Sequence, residues 1–304
     1  MARHQENQDN SSQSGFLFEE STNLQRRRLL ATLFRRTCRA ISYLLVGMVC
    51  YLLWDVFSDG IPWLSWDFLT HYASRLPEKS GIKASLFGSL WVIAITITFA
   101  LPVGIGAGTY LEELMPEGKL KDLISLNIQN LAGVPSIVYG ILGLAIFVRT
   151  FNFGTSVLSG GLTLGLLILP IIIIVTRESL RSVPQSIRQA ALAMGATEWQ
   201  VVKYYVLPTS FSGILTGVIL AVSRAIGETA PLILVGAVAY IRYTPDSPLD
   251  AYTTLPIQIY NWVGKPKQEF HELAAAGILV LLAIMFLINL VAIVLRQRKQ
   301  KTYI

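Results

Sequence analysis

Six long apolar runs constrain this chain of 304 residues more strongly than any other feature of its sequence. Each run holds about 20 residues, which as a helix is long enough to cross the hydrocarbon core of a bilayer. Only 14% of the residues are charged, whereas soluble domains carry about a quarter. We therefore predict an all-α integral membrane protein with six transmembrane helices, at about 40–57, 86–111, 127–148, 157–176, 211–240 and 273–295.

Glycine and proline mark positions where these spans depart from plain lipid-facing helices. The second span contains Gly104 and Gly108, in the small-xxx-small spacing that lets membrane helices approach closely. The third span is interrupted by Gly133 and Pro135, and the fourth contains Pro170. We expect close helix contacts along the second span and an interruption within the third.

Lysine and arginine are distributed unevenly between the two sides of the membrane that this topology creates. With a cytoplasmic N-terminus, the cytoplasmic segments hold 17 of the 25 basic residues and the external segments hold seven. Such an excess is typical of cytoplasmic loops, so we predict that both termini are cytoplasmic. Residues 1–39 are then a cytoplasmic basic tail with a disordered beginning, residues 40–84 the first transmembrane helix with an external loop, and residues 296–304 a second cytoplasmic basic tail. The positive charge lies at span ends and not on one face, so we expect no nucleic-acid partner.

A polar segment at residues 177–208 separates the fourth and fifth spans and lies on the predicted cytoplasmic side. Capping-box patterns, in which Ser or Thr is followed three residues later by Gln, predict the start of two short helices: Ser182 with Gln185 and Thr197 with Gln200. Gly195 is suited to the left-handed conformation that ends a helix. We expect the first helix to end there and the second to run to Pro208.

The same segment resembles a loop that occurs in the permease subunits of ABC importers. The resemblance rests on Gln189-Ala190-Ala191, Gly195 and Leu207-Pro208, which match the spacing of the family's EAA loop, with Gln189 at the usual glutamate and Tyr205 at the usual isoleucine. In that family the loop is the coupling helix that docks on a cytoplasmic ATPase. The alternative is an ordinary cytoplasmic helix-turn-helix between two membrane spans.

The fifth span carries an arginine and a glutamate, which are costly at membrane depth and by default indicate function. Arg224 and Glu228 lie four residues apart and can pair on one helix face. Pro231 breaks the backbone hydrogen bonding next to them, where Thr229, water or a substrate could satisfy a free carbonyl. A guanidinium binds oxyanions through two parallel hydrogen bonds. We therefore predict an oxyanion pathway, although a purely structural ion pair is the alternative.

Two segments narrow the family resemblance to phosphate-specific ABC permeases of the PstA type. They are Arg224–Pro231 (R-A-I-G-E-T-A-P) and Gly133–Gly140 (G-V-P-S-I-V-Y-G), and the similarity covers about residues 85–295. The resemblance implies a permease domain of the type I ABC importer (MetI-like) fold at 85–295, with 177–208 as its coupling loop. It also implies a phosphate importer in the prokaryotic plasma (inner) membrane. Asn130 and Ser136 could line its path, with helix-packing hydrogen bonds as the alternative.

The implied assembly contains several other proteins: a homologous permease subunit (PstC type), a cytoplasmic ATPase dimer (PstB type) that binds ATP, and an external phosphate-binding protein (PstS type). Membrane lipid surrounds it. This chain contains no Walker A pattern, and we expect it to be a translocation subunit with no cofactor, metal site or catalytic residue of its own. An ion-driven carrier or channel for an oxyanion is the alternative function, but it leaves the coupling loop unexplained. A membrane-embedded enzyme would need a nucleophile–base pair or metal ligands, and the spans contain neither pattern.

Overall fold

The computed structural model describes the backbone of residues 2–238 and 240–300 and the side chains of residues 26–238, 240–294, 296 and 297. Every regular element in this part of the chain is helical. The α-helices are α1 (Ala2–Gly60), α2 (Trp66–Thr70), α3 (Lys83–Thr109), α4 (Lys119–Ala132), α5 (Ser136–Gly143), α6 (Val157–Arg181), α7 (Gln185–Ala193), α8 (Glu198–Val201), α9 (Leu207–Gly227), α10 (Ala230–Leu234), α11 (Leu255–Val263) and α12 (Gln268–Gln300).

The chain divides into two compact units, residues 1–55 and 56–304. The first unit contains α1 as far as Asp55, and the apolar side chains of this helix between Ile41 and Leu53 are exposed. The helix also runs through residues 2–25, which we expected to be disordered. That expectation is wrong for the backbone, and the sequence supplies a reason: residues 1–60 contain no proline that would end a helix begun in the first span.

The core of the second unit is formed by α3, α6 and α9. Small residues let α3 and α6 touch, as predicted: a Cβ on Gly104 would lie 2.6 Å from Ile172 Cγ2, and one on Gly108 would lie 2.7 Å from Thr176 Cβ. The Thr96 hydroxyl, also buried here, donates to the carbonyl of Gly161 at 2.9 Å. Close backbone approach of this kind drives helix association where lipid removes the hydrophobic incentive.

The third predicted span is a pair of helices and not one rod. In the described part of the chain five helices are long and apolar enough to cross a membrane, and six if α4 and the helix after it count as one. That pair, Lys119–Ala132 and Ser136–Thr150, is bent by 102°. Pro135 explains the bend, because it has no amide hydrogen for a continuous helix. The Tyr139 hydroxyl donates to the carbonyl of Leu131 at 2.9 Å and ties the two arms together.

The fifth predicted span ends earlier than the sequence indicated. The helix ends at Gly227, and the short helix α10 follows after a break, so the expectation of a span to residue 240 is wrong. The segment after α10 instead covers the start of α6, where the amides of Val157 and Leu158 donate to the carbonyls of Asp250 and Pro248. Amides at a helix start have no partner within the helix, and this loop satisfies two of them.

The predicted external loop before the last span contains α11, which the sequence did not reveal. Trp262 is fully buried between α11 and α12, in a cluster with Phe68, Phe270 and Leu273. Packing against distant segments therefore stabilises this short helix. The last span itself, α12, lies where the sequence placed it.

Candidate functional site

The break between α9 and α10 is built by the sequence around Pro231. Proline removes a backbone donor and its ring collides with the carbonyl four residues earlier, here Gly227. The helix accordingly ends at Gly227, and Glu228 adopts an extended conformation (φ −74°, ψ 132°). Pro231 then occupies the first turn of α10, where a missing amide hydrogen costs nothing.

Arg224 lies in the last turn of α9, next to this break. Its Nε donates to Glu228 Oε1 at 3.4 Å, so the predicted pair forms. The arginine side chain is 45% exposed and the glutamate 18%. Among the described residues neither Nη of Arg224 has a hydrogen-bond partner, so the side chain presents a positively charged fork beside an oriented carboxylate. A cation in the last turn also interacts favourably with the helix dipole.

The other predicted pathway residues lie on α4, on α5 and in the segment that precedes α10. Thr229 precedes α10, and Ser136 begins α5, the helix against which α10 packs. The packing is close, since a Cβ on Gly140 would lie 2.7 Å from Pro231 Cα. Asn130 is exposed near the end of α4. No side-chain hydrogen bond in the described part of the chain joins Asn130, Ser136 or Thr229 to the pair, so their pathway role stays a prediction.

A polar contact next to Arg224 was not anticipated. Ser223 donates its hydroxyl to Asn289 Oδ1 at 2.7 Å and so links α9 to α12. An asparagine inside an apolar helix is the signal that could have identified this contact, because such residues hydrogen-bond to neighbouring helices in membranes. The link fixes the end of α9 that carries the arginine.

The predicted coupling loop forms two helices, α7 and α8, but only one of the two predicted caps. Thr197 accepts the amide of Gln200, whose side chain accepts the amide of Thr197, so this capping box is confirmed. The box at Ser182 and Gln185 is wrong, because Ser182 ends α6 and donates to the carbonyl of Ser179. Gly195 has the predicted left-handed conformation, with φ +86°.

We expected the second helix to end at Pro208, and that expectation is wrong. The helix continues from α8 into α9 through a π-helical turn at Val202–Val206, giving one candidate span at Glu198–Gly227. The wider turn accommodates Pro208, because a proline cannot make the regular bond to the preceding turn.

The surface of α7 is mostly exposed, as docking would require. Gln189 and Ala190 face solvent, Leu207 and Pro208 are half-buried, and Ala191 is 5% exposed in a small cluster with Leu180, Val183, Val201 and Val206. Three large apolar side chains on α7 or shortly after it are exposed: Leu192, Met194 and Trp199. Met194 is 87% exposed. The loop thus offers a low surface of small residues with an apolar rim.

Comparison with known proteins identifies the family. The model of the family described as binding-protein-dependent transport system inner membrane component matches residues 100–301. The chain belongs to this family. Among these permeases, the probable ABC transporter permease protein YqgI of Bacillus subtilis is 32% identical over 245 residues, which are 77% of this chain and 82% of that protein. The phosphate transport system permease protein PstA of Haemophilus influenzae is 31% identical over 265 residues, 86% of this chain and 93% of that protein.

Solved structures of related transporters confirm the fold. The bacterial ABC transporter involved in the import of alginate aligns with 91% of this permease and 98% of its own chain, with a TM-score of 0.63 and 15% identity. The inward-facing MetNI methionine ABC transporter aligns with 70% and 94%, with a TM-score of 0.58 and 19% identity. The type I importer (MetI-like) fold is therefore confirmed, and the sequence relatives confirm the predicted likeness to PstA-type permeases.

The sequence of this permease did not reveal an ion-pair network that joins the end of the second span to α6 and α7. Glu112 pairs with Arg177 (3.1 Å) and Arg181 (2.9 Å), and Glu113 pairs with Arg188 (2.6 Å). The partners are 65 to 75 residues apart, so no local spacing reveals them. The sequence contained one weaker indication. Two adjacent glutamates follow the second predicted span, and three arginines follow the fourth predicted span on the same side of the membrane.

In the described part of this permease no group of three or more His, Cys, Asp or Glu side chains could hold a metal ion. The two cysteines, Cys38 and Cys50, are both exposed and unpaired.

Proposed function

We propose that this chain is the transmembrane permease subunit of an ATP-driven ABC importer that moves inorganic phosphate across the prokaryotic plasma (inner) membrane into the cytoplasm. The observation that carries the proposal is the open guanidinium fork of Arg224, oriented by Glu228 at a helix break. The phosphate-transport names of relatives that align with most of the chain supply the substrate class.

The chemistry of the pair favours phosphate over other oxyanions. Both free Nη groups of Arg224 can donate to two oxygens of one anion, a geometry that lysine does not offer. The Glu228 carboxylate is an acceptor only, and hydrogenphosphate carries a P–OH group that can donate to it. Sulfate has no proton to donate at neutral pH and would meet the carboxylate with repulsion alone.

The coupling loop supports an ATP-driven mechanism. A cytoplasmic ATPase dimer would bind ATP and move against the exposed face of α7, and a second, homologous permease subunit would complete the pathway. An external phosphate-binding protein would deliver the anion. Both termini are then cytoplasmic, as the excess of basic residues on that side indicates. This chain contributes translocation, and the ATPase contributes hydrolysis.

Uptake of labelled phosphate tests the proposal. Cells lacking this gene would be complemented with the native chain, with Arg224→Gln, or with Arg242→Gln, which removes the same charge from an exposed external position. A charged hydrogen bond is worth about 1.5–3 kcal/mol, so Arg224→Gln should lower uptake by about tenfold or more at equal membrane levels. The control should match the native chain. Equal uptake by both variants would refute the assignment.

Two further arms separate the alternatives. Glu228→Gln should weaken the preference for phosphate over competing sulfate, and an unchanged preference would rule out the role of the carboxylate. In lipid vesicles that contain the assembly, a non-hydrolysable ATP analogue in place of ATP should stop the uptake. Uptake that continues without ATP hydrolysis would instead favour the ion-driven carrier or channel.

A further inference from the structure

We propose that the ion pair between Arg188 and Glu113 is a latch that makes the docking helix α7 move with the cytoplasmic end of α3. Both are then positioning residues for coupling. The inference deepens the proposed function and rests on it, since it assumes that α7 receives the motion of an ATPase.

The contacts of Arg188 point into the protein and away from the docking surface. Its Nη2 and Nε donate to the two carboxylate oxygens of Glu113, at 2.6 and 3.1 Å. Its Nη1 donates to the carbonyl of Val183 at 2.6 Å, and Nη2 also donates to that of Leu180 at 2.8 Å. The arginine side chain is 15% exposed and the glutamate 8%. This two-point geometry fixes orientation as well as distance.

Apolar packing alone holds α7 weakly. Of the nine residues in this helix only Ala191 is buried, and Ile187 packs partly buried against the same small cluster. The left-handed Gly195 that follows the helix has open space around it. The ion pair is therefore the directional restraint on the helix, and without it α7 could rotate on its small apolar contact.

The adjacent residues Glu112 and Glu113 form ion pairs with two different helices. Both lie in the π-helical turn Tyr110–Leu114 that ends the second span. Glu112 binds Arg177 and Arg181 of α6, while the adjacent Glu113 binds Arg188 of α7. Because the two carboxylates share one turn of backbone, a displacement of α7 reaches the ends of α3 and α6 together.

The test measures the mobility of α7 directly, in the full chain assembled with its partner subunits in lipid vesicles. Cys38 and Cys50 are replaced by serine, and a spin label is attached at Ser186→Cys, an exposed position in the first turn of α7 that lies outside the apolar rim. Arg188→Gln should increase the label's mobility. The matched control is Arg181→Gln, which removes an arginine of the same network that does not touch α7.

A second readout separates coupling from stability. In Arg188→Gln the number of ATP molecules hydrolysed per phosphate transported should rise at least threefold, while the rate of hydrolysis stays within about twofold of native. The variant Glu113→Gln should do the same, and the double variant should be no worse than either single variant, since all three remove one interaction. If Arg188→Gln fails to reach the membrane, Arg188→Lys, which keeps the charge without the fork, is measured instead and should show an intermediate mobility.

Unchanged label mobility in Arg188→Gln or Arg188→Lys would overturn the latch, whatever happens to transport. Equal effects of Arg181→Gln and Arg188→Gln would overturn it as well, since a general loss of charge would then explain both. If the native assembly moves no phosphate, the proposed function fails, but the mobility comparison still decides whether the pair holds α7.

Discussion

Replacing Gly140 with alanine should disturb the candidate site from outside it. Gly140 lies on α5, at the point where this helix packs against α10. The helix α10 directly follows the break that carries Glu228. A Cβ at this position would lie 2.7 Å from Pro231 Cα and 3.0 Å from the carbonyl oxygen of Pro231, against 3.4 Å or more for ordinary contact. Both obstacles are backbone atoms, which cannot turn aside as a flexible side chain can.

The contact must therefore open by about 0.7 Å, the shortfall of 2.7 Å from 3.4 Å. A gap of that size forfeits a quarter to a half of the dispersion energy across the contact, and overpacking typically costs about 1–3 kcal/mol. For a chain of this size a loss of about 2 kcal/mol corresponds to a fall in melting temperature of roughly 4–8 °C. Because α10 follows Glu228 and Thr229 directly, the displacement also reaches the pair with Arg224.

Thermal unfolding in detergent and phosphate uptake measure the two effects. The control is Gly106→Ala, another helical glycine, whose Cβ would meet nothing within 4 Å. It should keep or slightly raise the melting temperature, since alanine favours a helix by about 1 kcal/mol over glycine. A Gly140→Ala variant that melts and transports like Gly106→Ala would refute the reasoning, because the close contact of α5 and α10 would then have no energetic consequence.

Two matched comparisons extend these expectations. Tyr139→Phe should cost about 1 kcal/mol in unfolding measurements, because its hydroxyl donates to Leu131, whereas Tyr252→Phe should cost nothing, because the buried hydroxyl of Tyr252 has no partner among the described residues. Burial raises the pKa of Tyr252, so this tyrosine ionises at lower pH in the unfolded chain than in the folded chain. The native chain should therefore lose stability above about pH 10, and Tyr252→Phe should lose less stability over the same range. Thr197→Ala should destabilise α8 by about 1 kcal/mol, seen as faster amide hydrogen exchange there, while Ser182→Ala should leave the start of α7 unchanged. Equal exchange in both variants would contradict the cap assignment.

Local chemistry made much of the fold predictable from the sequence. The long apolar runs located α3, α6 and α12, because only a helix satisfies its own backbone in lipid. Gly104 and Gly108 indicated that α3 contacts a neighbouring helix closely, and Gly195 indicated a left-handed turn after α7. Both features are predictable because they require a residue without a side chain. The pairing of Arg224 with Glu228 followed from helical spacing alone.

Other features could not be predicted because tertiary contacts decide them. The sequence around α7 alone indicates that Ser182 is the N-cap of this helix. However, α6 continues to Arg181, and Ser182 is its C-cap. The helix α11 exists because Trp262 is buried against α12 and the loop before α3. The pair of Arg188 with Glu113 joins residues 75 positions apart, a distance at which sequence spacing carries no geometric information.

The predicted coupling loop and the predicted anion site lie at opposite ends of one helical rod. The candidate span Glu198–Gly227 begins beside the docking helix and ends next to the break that exposes Arg224. Thirty residues at about 1.5 Å each make a rod of roughly 45 Å, so a displacement of the predicted coupling loop would reach the predicted anion site through the backbone hydrogen bonds of a single helix. No relay of side chains is needed along this route. The π-helical turn at Val202–Val206 is the one irregularity in the rod, and it lies on the docking side, where it can absorb a change in the angle of the loop without displacing Arg224. The ion pair of Arg188 with Glu113 opposes such a change, because it ties α7 to the end of α3. With the proposed latch in place, coupling would depend on the contact between α7 and the end of α3 as much as on the rod itself.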